Sequence, residues 1–329
     1  MRTPSQTLPD IDALWDFGDP AASEARFRQL LERMRGQAPA DYLAQIHSQI
    51  ARTHSLRADF AAADRRLDEG EALCLAAETH GEDVRTARVR LLLERGRTLN
   101  SGGDSAASAP LFQAALAMAE AAGEEHLACD AAHMLGIVLP DAEGLAWNRR
   151  AIAMAEAARD PRARRWLGPL YNNSGWNLHG EGRYDEALEL FEKGLAFREE
   201  QDPSGEAARV ARWCRARCLR SLGRLEEALA AQRALLEGGR RSGGVAGGNT
   251  VDGDGETADG DTVDGDDGFV HEELGELLLA LGRPDEARGH FARAHALLSR
   301  MTGLETLDAV RLARMQSLGG GDAMTGRAM

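Results

Sequence analysis

Two short stretches combine residue types suited to recognition chemistry. The first is "YNNSGWN", residues 171–177. The amides of Asn172 and Asn173 can donate to a carbonyl and accept from an N–H, the pairing that an extended peptide backbone requires. Trp176 adds a flat apolar anchor. The second is "RVARWCRARCLR", residues 209–220, with five arginines around Trp213. Guanidinium forks such as those of Arg217 and Arg220 grip carboxylates through paired hydrogen bonds. The bland alternatives stay open here. Both indoles also suit core positions between helices, and helical arginines also suit a solvated face.

A third stretch, "VDGDGETADGDTVDGDDG" at 251–268, holds seven aspartates and one glutamate. A helix–loop–helix calcium site needs oxygen ligands at alternating positions, a glycine sixth and a glutamate twelfth. Counting from Asp252 the sixth residue is Thr257; from Asp259 the fifth is Val263; from Asp264 the fifth is Gly268. No frame fits. The crude repeat "T(V/A)DGD" reads instead as a low-complexity tract, too polar to bury a core and expected to be disordered.

Signatures of catalysis are missing from the sequence. There is no GxSxG, HExxH or Walker loop. "SGGVAGG" lacks the lysine that a phosphate loop needs. Cys129 and His133 lie four apart on one helix face, but zinc would need two more ligands. The expectation is therefore a non-catalytic chain with no cofactor and no metal.

Bulk properties narrow the class further. The 329 residues carry a formal net charge of −14. The acidic tract supplies −8 of it, leaving −14 + 8 = −6 for the rest. An acidic body argues against direct nucleic-acid or membrane affinity. Four scattered cysteines with no CxxC pair point to a reducing compartment, hence a cytoplasmic location. No apolar run reaches the length of a membrane span, and the N-terminus has no signal core. Low aromatic content with abundant Ala, Leu, Glu and Arg favours helix. The Arg, Ala and Gly usage hints at a GC-rich bacterial genome.

What must position these residues is a repeat. In "YNNSGWNLHGEGRYDEALELFEKGLAFREE", 171–200, one helix is followed by a glycine turn and a second helix. Asp185 is expected to cap that second helix, with Leu188, Phe191 and Leu195 as its stripe. The small residue near the start of each second helix forms a ruler: Ser23, Ala63, Ser108, Gly144, Ala187, Ala228, Ala287. Its gaps are 40, 45, 36, 43, 41 and 59, and the long gap contains the acidic tract.

This pattern resembles the tetratricopeptide repeat family, in a long-helix variety with a period near 40. The resemblance rests on Gly175, Ala187 and Phe191, on Gly275, Ala287 and Phe291, and more faintly on Gly96, Ser108 and Phe112. It implies an all-α fold, a right-handed α-solenoid of stacked antiparallel helix pairs. The expected organisation is a lead-in at 1–19, repeats at 20–238, the disordered insertion at 239–268, a last unit at 269–301, a capping helix at 302–318 and a flexible tail at 319–329.

The resemblance further implies that first helices line a concave face. Helical phase then turns inward Arg52, Arg97, Asn172, Asn173, Trp176, His179, Trp213, Arg217 and Arg220, followed by Glu272 and Glu276. The expected function is a protein- or peptide-binding scaffold, with a groove for an acidic or carboxylate-ended segment. The alternatives are a sensor for a short signalling peptide and, behind it, a metal-dependent enzyme.

Overall fold

The computed structural model describes residues 8–241, 267–300 and 309–320. Among these residues the regular elements are helical throughout. A 3-10 turn at Asp12–Leu14 precedes α1 (Pro20–Met34), α2 (Ala40–Ser55), α3 (Phe60–Glu78), α4 (Arg85–Ser101) and α5 (Ser105–Ala122). Then come α6 (Glu125–Val138), α7 (Asp141–Ala157), the short α8 (Pro161–Arg164), α9 (Leu167–Gly180) and α10 (Tyr184–Gln201). The chain continues with α11 (Glu206–Ser221), α12 (Leu225–Arg241), α13 (Gly268–Ala280), α14 (Pro284–Leu298) and α15 (Ala309–Leu318).

Two compact units result, one up to Leu170 and one from Tyr171 onward. In the first unit α1 is a lone second helix, followed by the antiparallel pairs α2/α3, α4/α5 and α6/α7, then α8. In the second unit α10 follows the greater part of α9, then come the pairs α11/α12 and α13/α14, with α15 packed on α14. The first helices α2 and α4 are direct neighbours, as are α11 and α13. First helices therefore form one layer within each unit.

Local chemistry explains the punctuation. Gly103, Gly182, Gly223 and Gly282 sit in the turns between first and second helices with φ of 91°, 76°, 75° and 72°. In that left-handed region a side chain is strained and glycine is not. Asp59 and Asp104 then cap the second helices, accepting from the N–H of Ala62 at 3.2 Å and of Ala107 at 3.0 Å. Each such cap is worth about 1 kcal/mol. Asp185 departs from expectation. The N-cap of α10 is Arg183, without a side-chain cap, and Asp185 falls inside the first turn, where it favours the positive helix end.

Packing between helices of a pair turns on a glycine and a ring. A Cβ placed on Gly96 would lie 2.6 Å from Phe112, on Gly175 2.7 Å from Phe191, and on Gly275 2.9 Å from Phe291. Ser108, Ala187 and Ala287, four residues before each ring, are buried and let the backbones approach. Fully burying each Phe contributes about 1.5–3 kcal/mol. The same ring position is Phe27 in α1 and Leu67 in α3, but Asn148 in α7 and Gln232 in α12. All are buried. Asn148 Oδ1 and both amide atoms of Gln232 have no hydrogen-bond partner among the described residues.

Several expectations fall outside the described residues: positions 1–7 of the lead-in, 242–266 of the acidic insertion, 301–308 before α15 and 321–329 of the tail. Among the described residues, no helix is long and apolar enough to cross a membrane.

Candidate functional site

The second unit holds nine of the eleven residues expected to face inward, Glu272 and Glu276 on α13 among them. α9 supplies Asn172, Asn173, Trp176 and His179; α11 supplies Trp213, Arg217 and Arg220. The Trp176 and Trp213 rings lie 6.0 Å apart between centroids. Trp176 also meets Phe191 edge-on at 5.1 Å and His179 at 5.1 Å, while Trp213 meets Phe269 of α13 at 6.4 Å. Both indoles are half-buried, so each is at once a packing residue and a partly open face. Trp213 Nε1 is buried with no partner among the described residues. What the ring turns outward is hydrocarbon.

The arginines are not idle. Arg217 Nε lies 2.9 Å from the Glu273 carboxylate. Arg220 grips the same carboxylate through Nε at 2.8 Å and through its terminal nitrogen at 3.1 Å. Two guanidinium groups thus share one carboxylate, which leaves a net positive charge at the centre of the layer. Burial pushes the Glu273 carboxyl up, and the two arginines only partly oppose it. Burial also pulls Arg217 down, against the attraction of Glu273. Both directions say that water exclusion outweighs pairing here.

His179 completes this edge. Its Nε2 lies 2.9 Å from Ser221 Oγ, which also accepts from Arg217 at 2.9 Å. Burial, then the charges of Arg217 and Arg220, lower its pKa and keep the ring neutral at pH 7. Asn172 turns its amide inward, donating to Asn173 Oδ1 and accepting from the Cys214 thiol, both at 3.3 Å. Glu272 and Glu276 are engaged as well, with Arg311 and Arg314 of α15.

Arg52 and Arg97 lie in the first unit, and there they are buried rather than open. Arg52 approaches Glu94 at 3.4 Å; Arg97 donates to Glu94 at 2.7 Å and to Asp130. The result is a ladder of alternating charge across α2, α4 and α6. Cys129 and His133 are buried on α6, where burial pushes the Cys129 thiol up to about 12 and His133 packs 5.1 Å from the Trp166 ring. Among the described residues, no cluster of three or more His, Cys, Asp or Glu could hold a metal ion.

Sequence reasoning missed Glu273, Glu94 and Asp130. A signal for the last two was present. Opposite charges recur near the repeat period, with Arg52 and Glu94 42 residues apart and Arg97 and Asp130 33 apart. Glu273 gave no such signal, because the tract between α12 and α13 stretches its separation from Arg220 to 53 residues.

Helix pairs joined by glycine turns, with a glycine seated against the ring of the partner helix, define a helical-repeat protein. Residues 168–201 match the family model described as tetratricopeptide repeat, and the chain as a whole has the fold of tetratricopeptide-repeat proteins. No curated protein sequence matches it. Among solved structures it is similar to a signal transduction ATPase with numerous domains from Pyrococcus horikoshii, which carries a tetratricopeptide repeat sensor. That likeness has a TM-score of 0.63 at 14% identity, over 90% of this chain and 43% of that one. The chain thus spans less than half the length of that protein. It is also similar to BtubC (BKLC) from P. vanneervenii, with TM-score 0.51, 16% identity, and coverage of 64% of this chain and 85% of that one. A third likeness is to NprR, solved with its cognate peptide NprX, with TM-score 0.51, 13% identity, and coverage of 95% and 83%. At these identities the shared property is the fold.

Proposed function

We propose that this chain is a non-catalytic binding module that takes a carboxylate-bearing protein or peptide segment on the first-helix layer of its second unit. The observation that carries the reading is the convergence of Arg217 and Arg220 on a single carboxylate beside the Trp176–Trp213 pair. The spare positive charge gives an incoming carboxylate something to hold, and the indoles give its neighbouring side chain an apolar seat. NprR was solved with a bound peptide, which supports a peptide as the ligand class. Described cysteines that are all buried and unpaired support a reducing, cytoplasmic setting.

A second reading, a sensor for a short signalling peptide, draws on the tetratricopeptide repeat sensor of the P. horikoshii protein. The two readings share this site and differ in the ligand. A peptide array in which every sequence is made both as free acid and as amide tests both. A sensor selects one short free peptide; a scaffold accepts many carboxylate-bearing tails. The control is R217Q/R220Q/E273Q, which removes the forks without stranding a buried carboxylate. Equal binding of free acids by this variant and by the wild type would overturn the site.

A further inference from the structure

The first unit already has a segment seated on its first-helix layer, and the segment is the chain's own. Residues 9–17, "PDIDALWDF", form a single 3-10 turn and otherwise no regular structure. Four side chains of α2 and α4 hold them. Tyr42 Oη donates to the Pro9 carbonyl at 2.7 Å. Gln49 Oε1 accepts from the Trp15 indole N–H at 2.8 Å. Arg90 takes both oxygens of the Asp12 carboxylate, at 2.8 and 2.7 Å. Arg52 lies over the Phe17 ring, 5.7 Å from its centroid.

These contacts are of the kind that recognise a peptide in trans: a donor to a main-chain carbonyl, a bidentate fork on a carboxylate, an acceptor for an indole and a cation on an aromatic face. The fork and the ring sites are spaced along one short stretch, with the 3-10 turn Asp12–Leu14 between them, so they read a pattern. That pattern is a carboxylate, an indole three residues on, and a second ring two residues beyond. Just before the pattern, Ile11 inserts into the apolar cluster of Phe27, Leu30, Tyr42, Ile46 and Ile50. The ladder of Arg52, Glu94, Arg97 and Asp130 lies on the same layer and fixes the guanidinium that meets Phe17.

We infer that residues 9–17 are an internal ligand, and that the face made by Tyr42, Gln49, Arg52 and Arg90 is a second binding site for an acidic-aromatic segment of a partner chain bearing this pattern. A partner segment competes with the tethered one, so occupancy depends on how well it outmatches Asp12, Trp15 and Phe17. Tethering raises the local concentration of the internal segment to the millimolar range, on the order expected for short linkers, so the wild-type chain resists exchange. Burial pushes the Asp12 carboxyl up, but the charge and hydrogen bonds of Arg90, with the charges of His126 and Arg162, together hold it below its ordinary value of 3.8. The fork therefore persists through the neutral range and is lost only as pH falls through that lowered value.

The test uses a fluorescein-labelled peptide of residues 8–18 and the full chain carrying D12N/W15A, with anisotropy as the readout. A chain beginning at Gly18 serves as a second variant. The full-chain variant should bind the peptide at least tenfold more tightly than the wild type does, at one peptide per chain. A peptide that itself carries D12N/W15A should bind neither. The inference fails if the folded full-chain variant binds no better than the wild type, or binds the substituted peptide equally well. It fails equally if the shortened chain does not fold and the full-chain variant takes up no peptide. The R217Q/R220Q/E273Q variant, combined with D12N/W15A, should bind the peptide as D12N/W15A alone does. This separates the inference from the site in the second unit.

Discussion

The Glu273 carboxylate lies 2.8 Å from Nε of Arg220 across 53 residues of sequence. It is buried, and it is shared with Arg217 at 2.9 Å. On the proposed reading, Glu273 stands where a ligand carboxylate would stand, as a built-in competitor. Replacing it with glutamine keeps the shape and removes the charge. E273Q should therefore bind a free-acid peptide several-fold more tightly than the wild type, measured by calorimetry. Unchanged or weaker binding would show that the forks are not the docking point.

The same relationship sets a pH dependence. Glu273 is raised above its ordinary value of 4.5, because burial outweighs the arginines. A carboxyl with a raised folded pKa takes up its proton as pH falls through that value. Arg217 and Arg220 are then released, while a peptide C-terminus with a pKa of about 3.3–3.7 is still charged. Affinity for free-acid peptides should rise as pH falls from 7 toward 4.5, and E273Q should flatten the profile. By itself Glu273 favours the folded state below 4.5 and withdraws that stability as pH rises through its raised value. A melting temperature that rises with pH across that window in the wild type but not in E273Q would contradict this sign.

Gly175 faces Phe191 so closely that a methyl group has no room. G175A should destabilise the second unit by overpacking, about 1–3 kcal/mol, set against about 1 kcal/mol of helix propensity gained. F191L opens the space, so G175A/F191L should be less destabilised than the two single losses added. Denaturant titrations of the three variants make the cycle, and strict additivity would show that the contact is not the cause.

Gln232 occupies the ring position of α12 with its whole amide buried and no partner among the described residues. Its counterpart in α3 is Leu67, buried in the core. Q232L should stabilise the chain by about 1–3 kcal/mol, the cost of an unsatisfied buried polar group. A lower midpoint of urea unfolding would refute this.

Glu94 sits between Arg52 and Arg97 with all three buried. Removing its charge takes a carboxylate from both arginines, though Arg97 keeps Asp130, so E94Q should cost up to about 3–5 kcal/mol. Circular dichroism during thermal unfolding measures it, and a shift under 1 °C would show that the ladder contributes little.

Much of the fold was legible because its determinants are local and periodic. Gly175 and Phe191 lie 16 residues apart, as do Gly96 and Phe112, and Gly275 and Phe291. A glycine at one end of that interval makes room for a ring at the other. The turn glycines announce themselves by the same logic. The site was only half legible. Helical phase placed Trp176, Trp213, Arg217 and Arg220 together in one unit, since neighbouring first helices share a layer. It could not assign partners to the charges, because pairing depends on which helices touch. Arg52 and Arg97 looked like open cations and proved to be buried rungs of a ladder. Nothing in "PDIDALWDF" marked it as a segment that lies on α2 and α4, since irregular backbone has no period to read.

The most direct measurement is a calorimetric titration of one array-selected peptide, as free acid and as amide, into the wild type and R217Q/R220Q/E273Q. The expected result is a preference of at least tenfold, about 1.4 kcal/mol, for the free acid in the wild type, and none in the variant. Equal affinity for acid and amide in the wild type, or an undiminished preference in a folded variant, would contradict carboxylate recognition by Arg217 and Arg220.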